Sequence, residues 1–357
     1  MKNKVYIRSV GSVSAQKTYD NTSFLNEVVT YNETVTRVID PNYKDFIPPA
    51  AARRMAKGIK MSTVSAKNAL TEANIEESEV DAIIVGTGLG CIGDSEKFVS
   101  DIIDNNEQFL TPTRFIQSSH NTVAGQIALG MGCKGHNFTY VHSSISFESA
   151  LLDTHMQLMN DEASTILVGG VDELVEHHVS THRLIGHIKK DPVETMSILD
   201  SGSKGAIFSE GSHFFVVSNK KGENAYSELL GIRTFNSLER DEIEKEALSF
   251  LKEQEMTSDD IDLLILGYNG DVEFDTYYEA LSQKSFKNTP KAYFKHLSGE
   301  FDTASGFGFW LANKILKHGF VPEVVQLGDS PKEAPQTILI YNQYRGENHS
   351  LTLLKKC

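Results

Sequence analysis

Between Asn137 and Glu173 the chain changes its hydrophobic period several times. Phe138 and Tyr140 alternate with polar neighbours, the pattern of a strand. Ser143-Ser144 interrupts it, and Ile145, Phe147, Leu151, Leu152, Met156 and Met159 then recur along one helical face. A short apolar run, Thr165 to Val168, follows and is closed by Gly169-Gly170. The stretch predicts strand, sharp turn, helix and strand. A side chain at such a turn points into the cavity above a sheet, where the amides of the following helix supply partial positive charge. Ser144 holds that position and is the candidate nucleophile.

The same reading extends along the chain. Residues 1–15 predict an opening strand, and residues 20–46 are polar and irregular up to Pro48-Pro49. A helix is expected from there to about Ala73, then a buried strand over Asp81–Gly86 that runs into a glycine-rich loop. Helices are expected around Glu96–Asp104 and His120–Gly132, and a strand pair with a glycine kink over Ala206–Ser218. After Lys220 the order begins again: strand Tyr226–Thr234, helix Asp241–Gln254, strand Leu263–Leu266, a helix after Gly306, and a hairpin of Thr337–Tyr341 with Ser350–Leu354. Two similar halves of mixed β and α, 1–220 and 221–357, predict an internally duplicated α/β fold.

The 357 residues, 40% of them hydrophobic and 23% charged, are ordinary for a soluble globular protein. No apolar run has the length of a membrane span. The first residues are basic without a continuous apolar stretch, which predicts no signal peptide. Cys91, Cys133 and Cys357 are too few and too scattered for a disulfide framework or a zinc site, so the cytoplasm is the expected location. A net charge of −14 argues against nucleic acid or an anionic membrane as partner. Arg53, Arg54, Lys57 and Lys60 are the exception, clustered on what reads as two helical turns: either a solvated face or a docking patch for an acidic partner.

Three motifs bear on chemistry. Gly86-Thr-Gly88-Leu-Gly90 follows a strand, but it does not open the fold and no acidic residue ends a suitable second strand, so no dinucleotide cofactor is expected. His178 and His182, four apart, would share a helical face near His177, His187, Glu173 and Glu176. That spacing allows a metal, yet no glutamate of the zinc-protease pattern lies between the two histidines; surface or interface histidines are expected, and no metal. Ser144 needs a base, because a helix dipole that ionises a thiol leaves an alcohol protonated. His142, two residues earlier, is on the same side of an extended chain but too far for a direct hydrogen bond.

Taken together in order, these segments resemble the β-ketoacyl synthases, which have the thiolase fold. Residues 140–173 are similar to the family's nucleophile segment, DAIIVGTGLG to its strand and glycine loop, and NTVAGQIALGMGCKG to the helix that leads into the nucleophile strand. SEGSHFFVVS resembles its GEGAG segment, KHLSGEFDTASG its Lys-x-x-x-Gly-His segment, and YNQYRGEN its final glycine-rich gate with its Asn. The resemblance implies two duplicated halves in a layered α-β-α-β-α arrangement. It also locates departures. The family's cysteine falls on Ser144, its first histidine on Gly267 or, with a shifted loop, near Asn269, and its second histidine on Glu300. Lys295 is retained, and the gate has lost glycines and carries Tyr344.

Such synthases accept an acyl chain on cysteine and use two histidines to stabilise the enolate formed on decarboxylation. A glutamate would oppose that negative charge. The resemblance therefore implies a non-catalytic, chain-length-factor-like subunit, similar in its compact length to the short ketosynthase-like subunits of polyene pigment clusters. It would pair with an active ketosynthase to elongate polyketide, polyene or fatty acyl chains on an acyl carrier protein, with Arg53, Arg54, Lys57 and Lys60 contributing to partner binding. Two other readings remain: an acyltransferase or thioesterase using Ser144 with His142 or His296 as base, and a homodimeric binding protein of the same fold.

Overall fold

The structure, a computed structural model, describes residues 3–357. Its first part runs β1 (Tyr6–Val13), β2 (Asn32–Glu33), α1 (Pro49–Ala52), α2 (Lys57–Ala73), β3 (Ala82–Gly86), α3 (Ile92–Asp104), α4 (Pro112–Gln117), α5 (Thr122–Met131), β4 (His136–Tyr140), α6 (Ser146–Met159), β5 (Thr165–Asp172), α7 (Glu176–Leu184), β6 (Val193–Glu194) and β7 (Gly211–Ser218). The second runs β8 (Ser227–Asn236), α8 (Ile243–Glu253), β9 (Leu263–Leu266), α9 (Thr276–Ser282), β10 (Lys291–Tyr293), α10 (Lys295–Ser298), α11 (Ser305–His318), β11 (Gln326–Leu327), β12 (Thr337–Tyr344) and β13 (Asn348–Lys356).

The strand order repeats. In the first part it is β4-β3-β5-β7-β1 and in the second β10-β9-β12-β13-β8. In both, a central strand (β3 or β9) is parallel to its two neighbours, and β7 or β13 is antiparallel to the strands beside it. The halves join where Tyr6 and Ile7 of β1 pair with Glu228 and Ser227 of β8.

Side-chain alternation divides the interior into layers. Ile84, Val168, Phe215, Ile265 and Ile340 face a central core with Phe147 and Leu151 of α6 and Phe307, Trp310 and Leu311 of α11. The alternate residues Ile83, Val85, Leu167, Phe214 and Val216 face α2 and α5 in an outer core. Leu264, Leu266, Leu339 and Tyr341 face α8 in another. Strands covered on both faces are apolar without alternation, which is why the 81–86 and 263–266 runs read as buried strands. The result is the layered, duplicated thiolase-like α/β fold.

Several boundaries differ from expectation. The helix expected from Pro49 to Ala73 is two, broken between Ala52 and Lys57. The strand after α6 continues through Gly169-Gly170 to Asp172 rather than ending there. Ala206–Glu210 is not a strand; Phe208 makes only isolated bridges, to Val35 and Glu300. The buried face of α6 is Phe147, Leu151, Thr154 and Leu158, spaced as a helix requires, while Met156 is 54% exposed.

Gly86, at the end of β3, lets the first turn of α6 approach closely: a Cβ there would lie 2.4 Å from the Ser146 carbonyl. Gly86→Ala should therefore cost about 1–3 kcal/mol of stability by overpacking. The urea midpoint should fall; an unchanged midpoint would contradict this contact.

Candidate functional site

Ser144 lies between β4 and α6, in a turn closed by backbone bonds from Ile145 N to the His142 carbonyl (3.2 Å) and from Ser146 N to the Ser143 carbonyl (3.1 Å). Ser143 takes a left-handed φ of +47°. The Ser146 hydroxyl fastens the turn, donating to the Ser143 carbonyl at 2.6 Å and accepting from His142 N at 2.8 Å. Ser144 itself is 3% exposed. Its hydroxyl accepts a hydrogen bond from Asn348 Nδ2 at 3.1 Å, delivered by the start of β13. No imidazole bonds to it. His142 is exposed on the turn, whereas His296 is buried, stacked on Tyr293 at 3.9 Å and bonded through Nε2 to the Val324 carbonyl at 2.9 Å. Burial holds His296 well below the usual imidazole range, at about 3, so it is neutral at physiological pH, but it is directed elsewhere.

Across the site, α10 carries Lys295 and the following turn Glu300, both fully buried. Lys295 Nζ donates to Glu300 Oε2 at 2.8 Å, and the same oxygen accepts from Asn269 Nδ2 at 2.7 Å. Backbone bonds hold Glu300 in place, its N–H to the Ile207 carbonyl (2.8 Å) and its carbonyl from Ser209 N (2.9 Å). The two candidate positions in the 267–269 loop behave differently. A Cβ on Gly267 would meet Asn342 Oδ1 at 2.3 Å, the Tyr278 hydroxyl at 2.6 Å and Lys295 Cε at 3.3 Å, so no side chain fits there. Asn269 is the residue whose side chain reaches Glu300.

Tyr344 closes the outer side. Its hydroxyl lies 3.4 Å from His187 Nδ1, and with Glu300 it lines two small cavities of about 30 and 10 Å³. These have room for about a water each and none for an acyl chain. Burial and the charges of Glu300 and Asp302 push the Tyr344 phenol up, so it stays neutral. His182 Nδ1 contacts His187 Nδ1 at 3.1 Å, and the rings of His178 and His182 are 4.2 Å apart. Burial first, then neighbouring cationic charge, brings His182 down to about 4.

The acidic residues expected beside these histidines serve otherwise. Glu173 accepts from Gly58 N (2.7 Å) and Gly93 N (2.9 Å), bridging the starts of α2 and α3, and Glu176 pairs with Arg183 at 3.7 Å. Among the described residues no group of three or more His, Cys, Asp or Glu side chains is arranged to hold a metal ion. No described helix is long and apolar enough to cross a membrane.

The basic cluster is also rearranged. Arg53 and Arg54 are exposed in the break between α1 and α2, not on a continuous helix. Lys57 is drawn inward to the buried carboxylate of Glu210 at 2.6 Å, and Lys60 sits over the Tyr43 ring at 5.7 Å. Two of the four charges are thus committed within the chain.

Several site residues escaped the sequence reading. Asp172 accepts from Thr87 Oγ1 (3.0 Å), Gly88 N (2.8 Å), Thr303 N (2.9 Å) and Thr303 Oγ1 (2.8 Å), tying the glycine loop to the start of α11. A charged residue ending an apolar strand was its signal. Asp302, which accepts from Ser143 Oγ at 3.2 Å, is pushed up to about 7 by burial and then by the charges of Asp172 and Glu300. Glu148, one helical turn beyond Ser144, accepts from Ser350 Oγ at 2.8 Å, and burial pushes its carboxyl up.

Two outcomes follow from these charges. Glu300→Gln leaves Lys295 buried without a counter-charge and should destabilise the fold by about 3–5 kcal/mol, whereas the double variant Lys295→Met/Glu300→Leu should recover much of the loss. Urea denaturation of all three distinguishes a buried ion pair from a solvated one, for which the single change would be nearly neutral. Asp302 binds its proton more tightly folded than unfolded, so the parent loses stability as pH rises from about 4 to about 7. Asp302→Asn should be the more stable protein at pH 8, with the gap closing toward pH 4. Thermal melts across that range would contradict the assignment if the two curves stayed parallel.

A family profile for the β-ketoacyl synthase N-terminal domain matches residues 14–222. The 3-oxoacyl-[acyl-carrier-protein] synthase 2 of Staphylococcus aureus is 22% identical over 207 residues, 54% of this chain and 51% of that protein. The chain thus spans about half the length of the curated relatives it matches. Two solved structures share the fold over 100% of both chains with a TM-score of 0.81: the ishigamide ketosynthase/chain length factor, at 16% identity, and the AntDE:AntF complex of a type II PKS acyl-carrier protein with its ketosynthase bound to the hexaketide, at 13%. With more than half of its length matched by the profile, the chain belongs to the β-ketoacyl synthase family.

Proposed function

We propose that this chain is a non-catalytic, chain-length-factor-like subunit that pairs with an active ketosynthase elongating carrier-bound polyketide, polyene or fatty acyl chains in the cytoplasm. The observation that carries the reading is the buried contact of Glu300 with Lys295 at 2.8 Å. Decarboxylative condensation develops negative charge that must be met by hydrogen-bond donors. Here a carboxylate occupies the site and takes up the donors Lys295 and Asn269 for itself. The Ser144 hydroxyl, with no base beside it, stays a weak nucleophile. No cofactor enters this scheme.

An exposed edge supports pairing. β4 ends the sheet, and Phe138 on it, Val141 just beyond it and Met156 on the adjoining α6 are 47%, 48% and 54% exposed. An unpaired strand edge bordered by apolar side chains is a template for a second chain. The nucleophile-bearing strands of this fold pair side by side between subunits, so an inert turn at Ser144 would be kept for the shape of that interface. The ketosynthase/chain length factor and the carrier-protein complex of similar fold make an active ketosynthase and an acyl carrier protein the partners of choice. Of the basic cluster, the exposed Arg53 and Arg54 are the residues proposed to meet an acidic carrier or partner, with Lys57 and Lys60 supporting that segment.

Co-expression with an active ketosynthase should give a one-to-one complex by light scattering. Ser144→Ala should leave product formation by that complex within about twofold of the parent, since no step uses the hydroxyl. A persistent homodimer that ignores the ketosynthase, or loss of product with the complex intact, would overturn the reading.

A further inference from the structure

The outer helical layer contains a cleft remote from Ser144. It lies among the segment before α1, α1–α2 and α5, with Phe46, Ile47, Met55, Ile127 and Met131 on its walls, and has a volume of about 350 Å³. A second, more open hollow of about 520 Å³ shares Ala51, Met55 and Gln126 with it and adds Arg54 and Ile116. The two form one groove, apolar at its inner end and bordered by an arginine at its outer end. The inner volume lies in the range of small-molecule sites.

We propose that this groove binds a free medium-chain carboxylate, its alkyl chain in the inner chamber and its carboxylate at Arg54. Two of the polar groups inside are already engaged: Lys67 Nζ donates to the Phe46 carbonyl at 2.9 Å and Thr63 Oγ1 to the Ile59 carbonyl at 2.8 Å, while Gln126 stands where the two hollows meet. A peptide inserted there would bring more N–H and C=O groups than the Gln126 amide could partner, at a cost an alkyl chain does not carry. The outer end has the opposite character. Arg54 is exposed, and no carboxylate lies within ion-pair distance of it among the described residues, whereas nearby Lys57 is held by Glu210. An anionic head group therefore complements the Arg54 charge at the outer end of the groove. The site uses none of the residues around Ser144 and Glu300, but it shares Arg54 with the surface proposed to meet an acidic carrier or partner, so the two would compete for that charge.

Calorimetric titration of the full chain with hexanoate, octanoate and decanoate, kept below micelle formation, tests this directly. Saturable one-to-one binding is expected, tightening roughly three- to fourfold per added methylene while the inner chamber fills. Arg54→Gln, a change on an exposed side chain, should weaken octanoate roughly three- to fivefold and leave 1-octanol unaffected. Gly130→Phe should abolish both, because Gly130 lines the inner chamber and a Cβ there meets nothing within 4 Å. Absence of saturable binding, or binding that survives Gly130→Phe, overturns the site. Octanoate binding that Arg54→Gln leaves unchanged overturns the anionic head group. Sedimentation with phosphatidylglycerol vesicles without octanoate binding would assign the groove to a lipid surface and overturn the free carboxylate.

Discussion

The buried ion pair between Lys295 and Glu300 is the constraint around which the site is arranged. An ammonium and a carboxylate, both almost fully removed from water, hold together only if their hydrogen-bonding capacity is met. Asn269 supplies a further donor to the same carboxylate oxygen, and the backbone of Ile207 and Ser209 fixes the glutamate from behind. Asn269 ties the 267–271 loop to Glu300, Gly267 has no space for a side chain, and two water-sized cavities lie beside Tyr344. Chemistry and stability pull in opposite directions here. A site built for enolate stabilisation needs donors without a resident acceptor, and this one has its acceptor built in.

Much of the fold was legible because the strands are buried on two faces. Runs such as Ala82–Gly86 and Leu263–Leu266 are apolar without alternation, and few other elements produce that pattern at that length. The misread elements have local causes. β10 is three residues long and leaves almost no periodic signal. Ala206–Glu210 has the composition of a strand, but its partners are the isolated segments at Val35, Ile188 and Glu300. The break at Arg53–Ala56 carries no proline or glycine. It follows from tertiary contacts, with Gln117 accepting from Ala56 N and donating to the Arg54 carbonyl.

The site was legible in outline and obscure in its charges. Ser144, Lys295 and Glu300 stand out because each occupies a recognisable place in an ordered set of segments. The partners that decide their behaviour come from far along the chain: Asn348 reaches Ser144 from β13, and Glu210 captures Lys57 from the segment before β7. Spacing along one element shows neither. The histidines illustrate the same point. His178 and His182 do share a face of α7, but Glu173 is held by the amides of Gly58 and Gly93 and contributes no ligand. Burial leaves the rings packed together as neutral groups next to Tyr344.

Intact-mass spectrometry of the purified chain after exposure to an activated acyl thioester tests the central claim most directly. A buried Ser144 hydroxyl, bonded to Asn348 and without a base, should remain unmodified, and the mass should be that of the free chain. A stoichiometric acyl adduct that maps to Ser144 and disappears in Ser144→Ala would contradict the account.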